Sequence, residues 1–326
     1  MKKEIVGLLM VAISAVLFSL MSLFVKLCDL SSWEVFFIRG IFQALISWLV
    51  AVKKGVGVIG HKSARPLLCL NGLFGSLRIG FFFYAVKNGH LGDVTAIFFT
   101  APSIVVVLGS ILFKDPIRLT TAASVLLCLS GTALITKPQF LFGPDNSHSK
   151  DDEATALTVS IAGAISSAAF YMTIPYVNRQ ANDQTIIFYF GIIATLISIV
   201  PFLLSEPRWP DEFSWIWIVM VVVCGYLGQL FLNNGLKIAN RSSVLVRNID
   251  VALAFVYAYF IFHRDVTMTS LGGAALIVCA GVILVVENIM QQEVVVDLET
   301  YGHEKDYIID IESSSSEEQE PLLSKN

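Results

Sequence analysis

The sequence predicts an all-α membrane protein, with ten transmembrane helices arranged as two inverted five-helix repeats. Three observations lead there. Of 326 residues, 55% are apolar and 15% charged, with a mean hydropathy of +0.72, whereas a soluble domain carries about 25% charged residues. The apolar residues come in long runs, and a helix needs roughly 20 of them to cross a bilayer. The chain also resembles itself when displaced by 150 positions.

Taken in order, the spans fall at about 5–27, 33–52, 66–86, 93–113, 119–136, 156–177, 185–204, 213–236, 243–262 and 267–287. The first is too long for the apolar region of a cleaved signal peptide, and no small-residue cleavage site follows it. Connections are short except for a basic loop at 53–65 and a polar one at 137–155. The chain thus divides into a first unit (1–136), the polar loop (137–155), a second unit (156–290) and a tail (291–326).

Lysine and arginine set the orientation. With both termini cytosolic, the cytosolic segments hold eleven basic residues and the opposite loops hold five. That orientation puts the sequon Asn240-Arg241-Ser242 in the cytosol, where it stays unglycosylated.

At a shift of 150, residues 84–136 lie on 234–286 without a gap. Lys87 falls on Lys237, Asp115 on Asp265, Gly131 on Gly281. A shift of 151 pairs Phe37-Ile38-Arg39-Gly40-Ile41 with Phe188-Tyr189-Phe190-Gly191-Ile192, and a shift of 152 pairs Ile13-Ser14 with Ile165-Ser166. Charged loop residues matching at one offset exceed what two apolar runs share by chance. Five spans per unit is an odd number, so tandem copies enter the membrane from opposite sides. Secondary transporters built this way hold their substrate near the midplane between the halves.

These residues resemble a known family. Phe37-Ile38-Arg39 in span 2, Ala101-Pro102 in span 4 and the Phe113-Lys114-Asp115 corner leading to Gly131 are similar to the EamA-type repeat of the drug/metabolite transporter superfamily. More narrowly, Leu77-Arg78-Ile79, Phe83-Tyr84-Ala85, Lys137 to Gly143 and Asp250 to Phe255 resemble the G-type members of solute-carrier family 35. The resemblance implies a carrier fold and does not name the cargo. At the corner after span 4, where the family commonly carries Glu, this chain has Lys114-Asp115.

Charged side chains at a span centre cost about 2.5–3.5 kcal/mol on insertion scales, so those retained face an interior cavity. Arg39, with Gln43 a turn away, lies in span 2; Arg78 lies mid-span in span 3; Arg247 and Asp250 lie three apart in span 9. For the last two, a self-neutralising structural pair competes with a role at a substrate. Lys26 ends span 1, where its charge snorkels to the interface. Three guanidiniums against one carboxylate favour an anion, because the arginine fork donates paired hydrogen bonds to carboxylate or phosphate. Gln229, Asn233 and Asn234 in span 8, and Ser166, Ser167 and Tyr171 in span 6, either line the same cavity or hold the bundle together. The expected substrate contacts are Arg78, Arg247, Asp250, Arg39, Asn233, Gln229 and Tyr171. Pro102 and Pro175 can break spans 4 and 6.

No phosphate-cradling loop, nucleophile–base constellation or metal-ligand spacing appears, so neither an enzyme nor a cofactor is expected. Five scattered cysteines lack CxxC spacing, and there is no basic patch for nucleic acid. The tail is acidic, net −8, and its composition is that of a disordered segment. Its Glu318-Gln319-Glu320-Pro321-Leu322-Leu323 looks like an acidic dileucine sorting signal, with Glu318, Leu322 and Leu323 read by clathrin adaptors. That favours the plasma membrane or the endosomal and lysosomal membranes over the Golgi or endoplasmic reticulum. The expected function is a secondary transporter that moves a small organic anion (a carboxylate or a phosphorylated metabolite) by alternating access. The alternatives are a non-transporting regulator or scaffold on the same fold, and a nucleotide-sugar transporter. A homodimer stays open.

Overall fold

The computed structural model describes residues 2–88, 94, 97–114, 117–136, 150–204, 209–239, 241–260, 268–269, 271–283 and 286. Among them no strand occurs. The helices are α1 (Lys2–Leu27), α2 (Ser32–Lys53), α3 (Arg65–Asn88), α4 (Ala101–Phe113) and α5 (Leu119–Thr136). Then come α6 (Lys150–Gln180), α7 (Asp183–Leu204), α8 (Glu212–Ile238), a 3₁₀ stretch (Arg241–Asn248) leading into α9 (Ile249–Phe260), and α10 (Leu271–Ile283). Six of these, α1, α2, α5, α6, α7 and α8, are long and apolar enough to cross a membrane. Helix α3 is as long but carries Arg65, Asn71, Arg78 and Lys87.

Local chemistry sets the boundaries. Helix α2 opens with a capping box: Ser31 N donates to Glu34 Oε2 at 2.6 Å and Glu34 N donates to Ser31 Oγ at 3.3 Å. Helix α4 starts at Ala101 with Pro102 in its first turn, where a proline fits because the first amides have no intrahelical acceptor. Span 4, expected as one run from 93, is therefore broken: Phe99 and Thr100 form a turn ahead of it. Span 9 is broken too: the eight residues Arg241–Asn248, which include its start, wind as 3₁₀ rather than α. Pro175, expected to break span 6, lies inside an uninterrupted α6. That helix begins at Lys150, inside the stretch expected as loop. Residues 137–149, the sequon's Asn240 and the tail with its dileucine lie outside the described residues.

The packing repeats itself. Raising every helix number of the first unit by five turns the α1–α8 contact into α6–α3, α4–α6 into α9–α1, and α3–α7 into α8–α2; all of these are present. The α2–α7 contact maps onto itself. At its centre a Cβ on Gly40 would sit 3.2 Å from Gly191 O, and one on Gly191 would sit 2.9 Å from Gly40 O. These two glycines are the equivalents at a shift of 151, so the molecule carries an approximate two-fold between its repeats. Helices α5 and α10 also approach closely, at Gly131 and Gly273.

The two ends of the bundle differ. Where α2–α3 and α6–α7 turn, Ala64, Leu68, Val177 and Ile186 pack into a buried cluster. The α2–α3 loop is tied down there: Thr185 Oγ1 donates to Gly57 O at 3.1 Å and Tyr189 Oη donates to Ile59 O at 3.0 Å. The other end, near the α1–α2 corner and the start of α4, is hollow.

Candidate functional site

That hollow is a cavity of about 170 Å³. Its walls come from the second half of α1, the first half of α2, the second half of α3, the break before α4, the middle of α6 and α8, and the junction of the 3₁₀ stretch with α9. Both interrupted spans thus reach it: Phe98, Phe99, Ala101 and Pro102 from one repeat, Arg247, Asn248 and Asp250 from the other. At the 150-residue spacing Phe98 matches Asn248 and Thr100 matches Asp250, so the breaks occupy equivalent places. Discontinuous helices at corresponding positions of two repeats free backbone groups where a transporter holds its cargo.

Five expected residues converge on the cavity: Arg39, Arg78, Tyr171, Arg247 and Asp250 all line it. Each guanidinium lies against an aromatic ring. Arg39 Cζ is 5.8 Å from the Phe190 centroid, Arg78 Cζ is 5.0 Å from Phe170, and Arg247 Cζ is 4.7 Å from Phe18. A desolvated cation over a ring face gains about 2 kcal/mol, which offsets part of the cost of keeping it from water.

The rings obey the repeat. Phe18 and Phe170 are equivalents at a shift of 152, and Arg39 is the equivalent of Phe190 at 151. Glycines make room for the cations. A Cβ on Gly225 would come within 2.6 Å of Arg39 Nε, and one on its equivalent Gly75 would come within 2.8 Å of the Phe190 ring. Arg78 corresponds to Gly228, which leaves the Phe18 ring open at 3.3 Å; there Arg247 reaches in from α9's junction instead.

The charges are unequal. Arg247 Nη2 donates to Asp250 Oδ2 at 3.2 Å, and Arg247 Nη1 to Ser14 O at 3.4 Å. Span 9 therefore holds a neutral pair. Arg39 and Arg78 form no ion pair among the described residues. Buried nitrogens remain unsatisfied there: Arg39 Nε and Nη2, Arg78 Nε and Arg247 Nε, with both amide atoms of Asn248 beside them. Buried polar groups are normally bonded, so such a cluster calls for a missing partner.

Gln229 and Asn233 lie outside the cavity wall. Gln43 Nε2 donates to Gln229 Oε1 at 2.6 Å, joining α2 to α8. The Asn233 carbonyl accepts from Asn178 Nδ2 at 2.7 Å, joining α8 to α6. Asn234 donates to Leu230 O in its own helix at 3.0 Å. Ser166 and Ser167 likewise bond back to Ala162 O and Gly163 O, although Ser167 also lines the cavity. Phe18, Phe36, Phe82, Phe98 and Phe99 line it as well; among 23 phenylalanines in apolar runs, only the repeat offset singles out Phe18, as partner of Phe170.

Helices long enough to cross a bilayer, an approximate two-fold between repeats and buried or half-buried cations around one chamber define a multi-pass membrane protein of duplicated design. Residues 5–137 and 154–286 each match the EamA-like transporter family, and the chain belongs to that family. It is 28% identical over 284 residues to human solute carrier family 35 member G1, covering 85% of this chain and 78% of that protein. It is 23% identical over 282 residues to the pseudopaline exporter CntI of Pseudomonas aeruginosa, covering 85% of this chain and 95% of that one. A solved crystal structure superposes with a TM-score of 0.71 at 15% identity, covering 85% of this chain and 96% of its own, which speaks to the fold alone.

Proposed function

We propose that this protein is a secondary transporter that moves a small organic anion by alternating access through ten spans in two inverted repeats. The observation that carries the anion reading is the arginine triad, Arg39, Arg78 and Arg247, around one chamber whose single paired carboxylate is Asp250. Guanidinium forks fit carboxylate and phosphate. The transporter names of the relatives support the class, and the family makes an enzyme the poorer reading.

The two-fold supports the alternating cycle. Eight residues of the present chamber, Phe18, Ser22, Val25, Val35, Phe36, Arg39, Ile79 and Phe82, have as equivalents Phe170, Ile174, Val177, Ile186, Ile187, Phe190, Gln229 and Leu232. Every one of these equivalents is at most 2% exposed; Val35 and Phe36 are equally buried, so the contrast rests on Ser22, which is exposed, and on Val25, Ile79 and Phe82, which are half-buried. Exchanging the conformations of the halves opens that packed set as a chamber on the opposite face. With both termini cytosolic, the present chamber faces away from the cytosol.

Uptake by purified protein in proteoliposomes, with Arg78→Ala and Arg247→Ala beside wild type, tests the reading. Loss of uptake of an organic anion in both variants supports it; undiminished uptake in both removes the site. A thermal shift with no anion of a broad panel, together with partner capture through the tail, would instead favour a scaffold.

A further inference from the structure

We infer that the preferred cargo is a dianion with a flat apolar body, an aromatic dicarboxylate or aryl phosphate rather than a compact polar acid. The inference rests on the anion reading above and adds charge and shape to it. Arg247 and Asp250 cancel, so Arg39 and Arg78 leave the chamber with two uncompensated positive charges among the described residues. A ligand of charge −2 restores neutrality; a monoanion leaves one desolvated guanidinium unanswered. The donors are already in place, with Arg39 Nε and Nη2 and Arg78 Nε buried without a partner. Holding Arg39 and Arg78 against Phe190 and Phe170 keeps both guanidiniums fixed before the ligand arrives, which lowers the ordering cost of binding.

The shape argument comes from the remaining wall. Phe36, Phe82, Phe98 and Phe99 face the chamber, and Phe82 and Phe98 meet edge to face with centroids 4.9 Å apart. Aromatic groups prefer offset or edge-to-face partners, so a ring slots among these side chains. The neutral polar side chains of the wall are Ser22, Ser167, Tyr171 and Asn248. Ser22 and Ser167 already bond Phe18 O and Gly163 O, so a small acid with several hydroxyls would strip more of them of water than Tyr171 and Asn248 can receive.

Direct binding to the full-length protein in detergent decides this, at a pH where all the acids are ionised. The probes are three benzenedicarboxylates, the aliphatic dicarboxylates succinate, adipate and suberate, and the monoanion benzoate. The best benzenedicarboxylate is expected to bind at least about tenfold more tightly than benzoate or any aliphatic diacid, the worth of one charge-assisted hydrogen bond. Arg39→Gln is expected to bring the benzenedicarboxylate within about threefold of benzoate while leaving benzoate binding on Arg78. Phe82→Leu with Phe98→Leu is expected to erase the advantage over adipate. Aliphatic diacids binding as well as aromatic ones would overturn the body, and benzoate binding equally would overturn the charge, with the anion reading intact in both cases. Binding of none of the seven would overturn both readings together.

Discussion

The guanidinium of Arg39 lies 5.8 Å from the centre of the Phe190 ring, and the two residues hold the same place in the two repeats. The contact therefore crosses the approximate two-fold, with a cation on one side and its acceptor ring on the other. Next to it Gly40 and Gly191 bring the backbones of α2 and α7 into contact. Duplication supplied the symmetric frame, and divergence at position 39 against 190 supplied the chemistry.

The Arg247–Asp250 pair is buried, both residues being less than a tenth exposed. Breaking such a pair by removing one partner costs about 3–5 kcal/mol, whereas replacing both by apolar groups is often neutral. Asp250→Ala is therefore expected to lower the melting temperature in detergent well below that of Arg247→Met with Asp250→Leu. The double variant should fold and not transport. Equal losses in the two variants would mean that the pair carries no coupling.

Gly191→Ala is expected to destabilise the α2–α7 crossing by about 1–3 kcal/mol, the usual range for overpacking, because its Cβ would meet Ala44 N at 2.7 Å. Gly272→Ala meets nothing within 4 Å and serves as the control, with an unchanged or slightly raised melting temperature. Thermal denaturation of both purified variants reads the contrast.

Cysteine labelling can follow the exchange between halves. In a background with the five native cysteines replaced, Ser22→Cys, an exposed position of the cavity wall, should react with an impermeant maleimide from the non-cytosolic face. Its equivalent, Ile174→Cys, is packed away here at 0% exposure and should react from the cytosolic face only, faster during turnover. Reaction of both positions from one face would contradict the inverted arrangement.

Leu322→Ala with Leu323→Ala is expected to move a tagged protein from endosomal and lysosomal membranes towards the cell surface. Imaging of the variant beside wild type measures it, and an unmoved variant would set the sorting signal aside.

Much of this architecture is legible in the amino-acid sequence. Hydropathy locates the long helices, because a helix crossing lipid needs a run of roughly 20 mostly apolar residues, and the charged matches Lys87/Lys237 and Asp115/Asp265 expose the duplication. The cost of burying charge in lipid singled out Arg39, Arg78, Arg247 and Asp250, which do share one chamber. Gln229 and Asn233 suit the cavity equally well in sequence, yet the Gln229 side chain bonds Gln43 of α2 and the Asn233 amide is buried outside the cavity wall without a hydrogen-bond partner; helical spacing does not tell which neighbour a polar side chain meets. Helical periodicity was also blind to the 3₁₀ winding of 241–248, since apolar spacing alone does not resolve three residues per turn from 3.6.

The opposite number of Arg78 is Gly228, that of Arg247 is Ile97 and that of Asp250 is Thr100. An antiparallel pair of first units would carry Arg39 and Arg78 twice, four like charges with no Arg247–Asp250 couple between them. A pair of second units would keep two couples and lose both free cations. Neither unit doubled rebuilds the parent chamber, so once these substitutions were in place the fused gene could not be divided again.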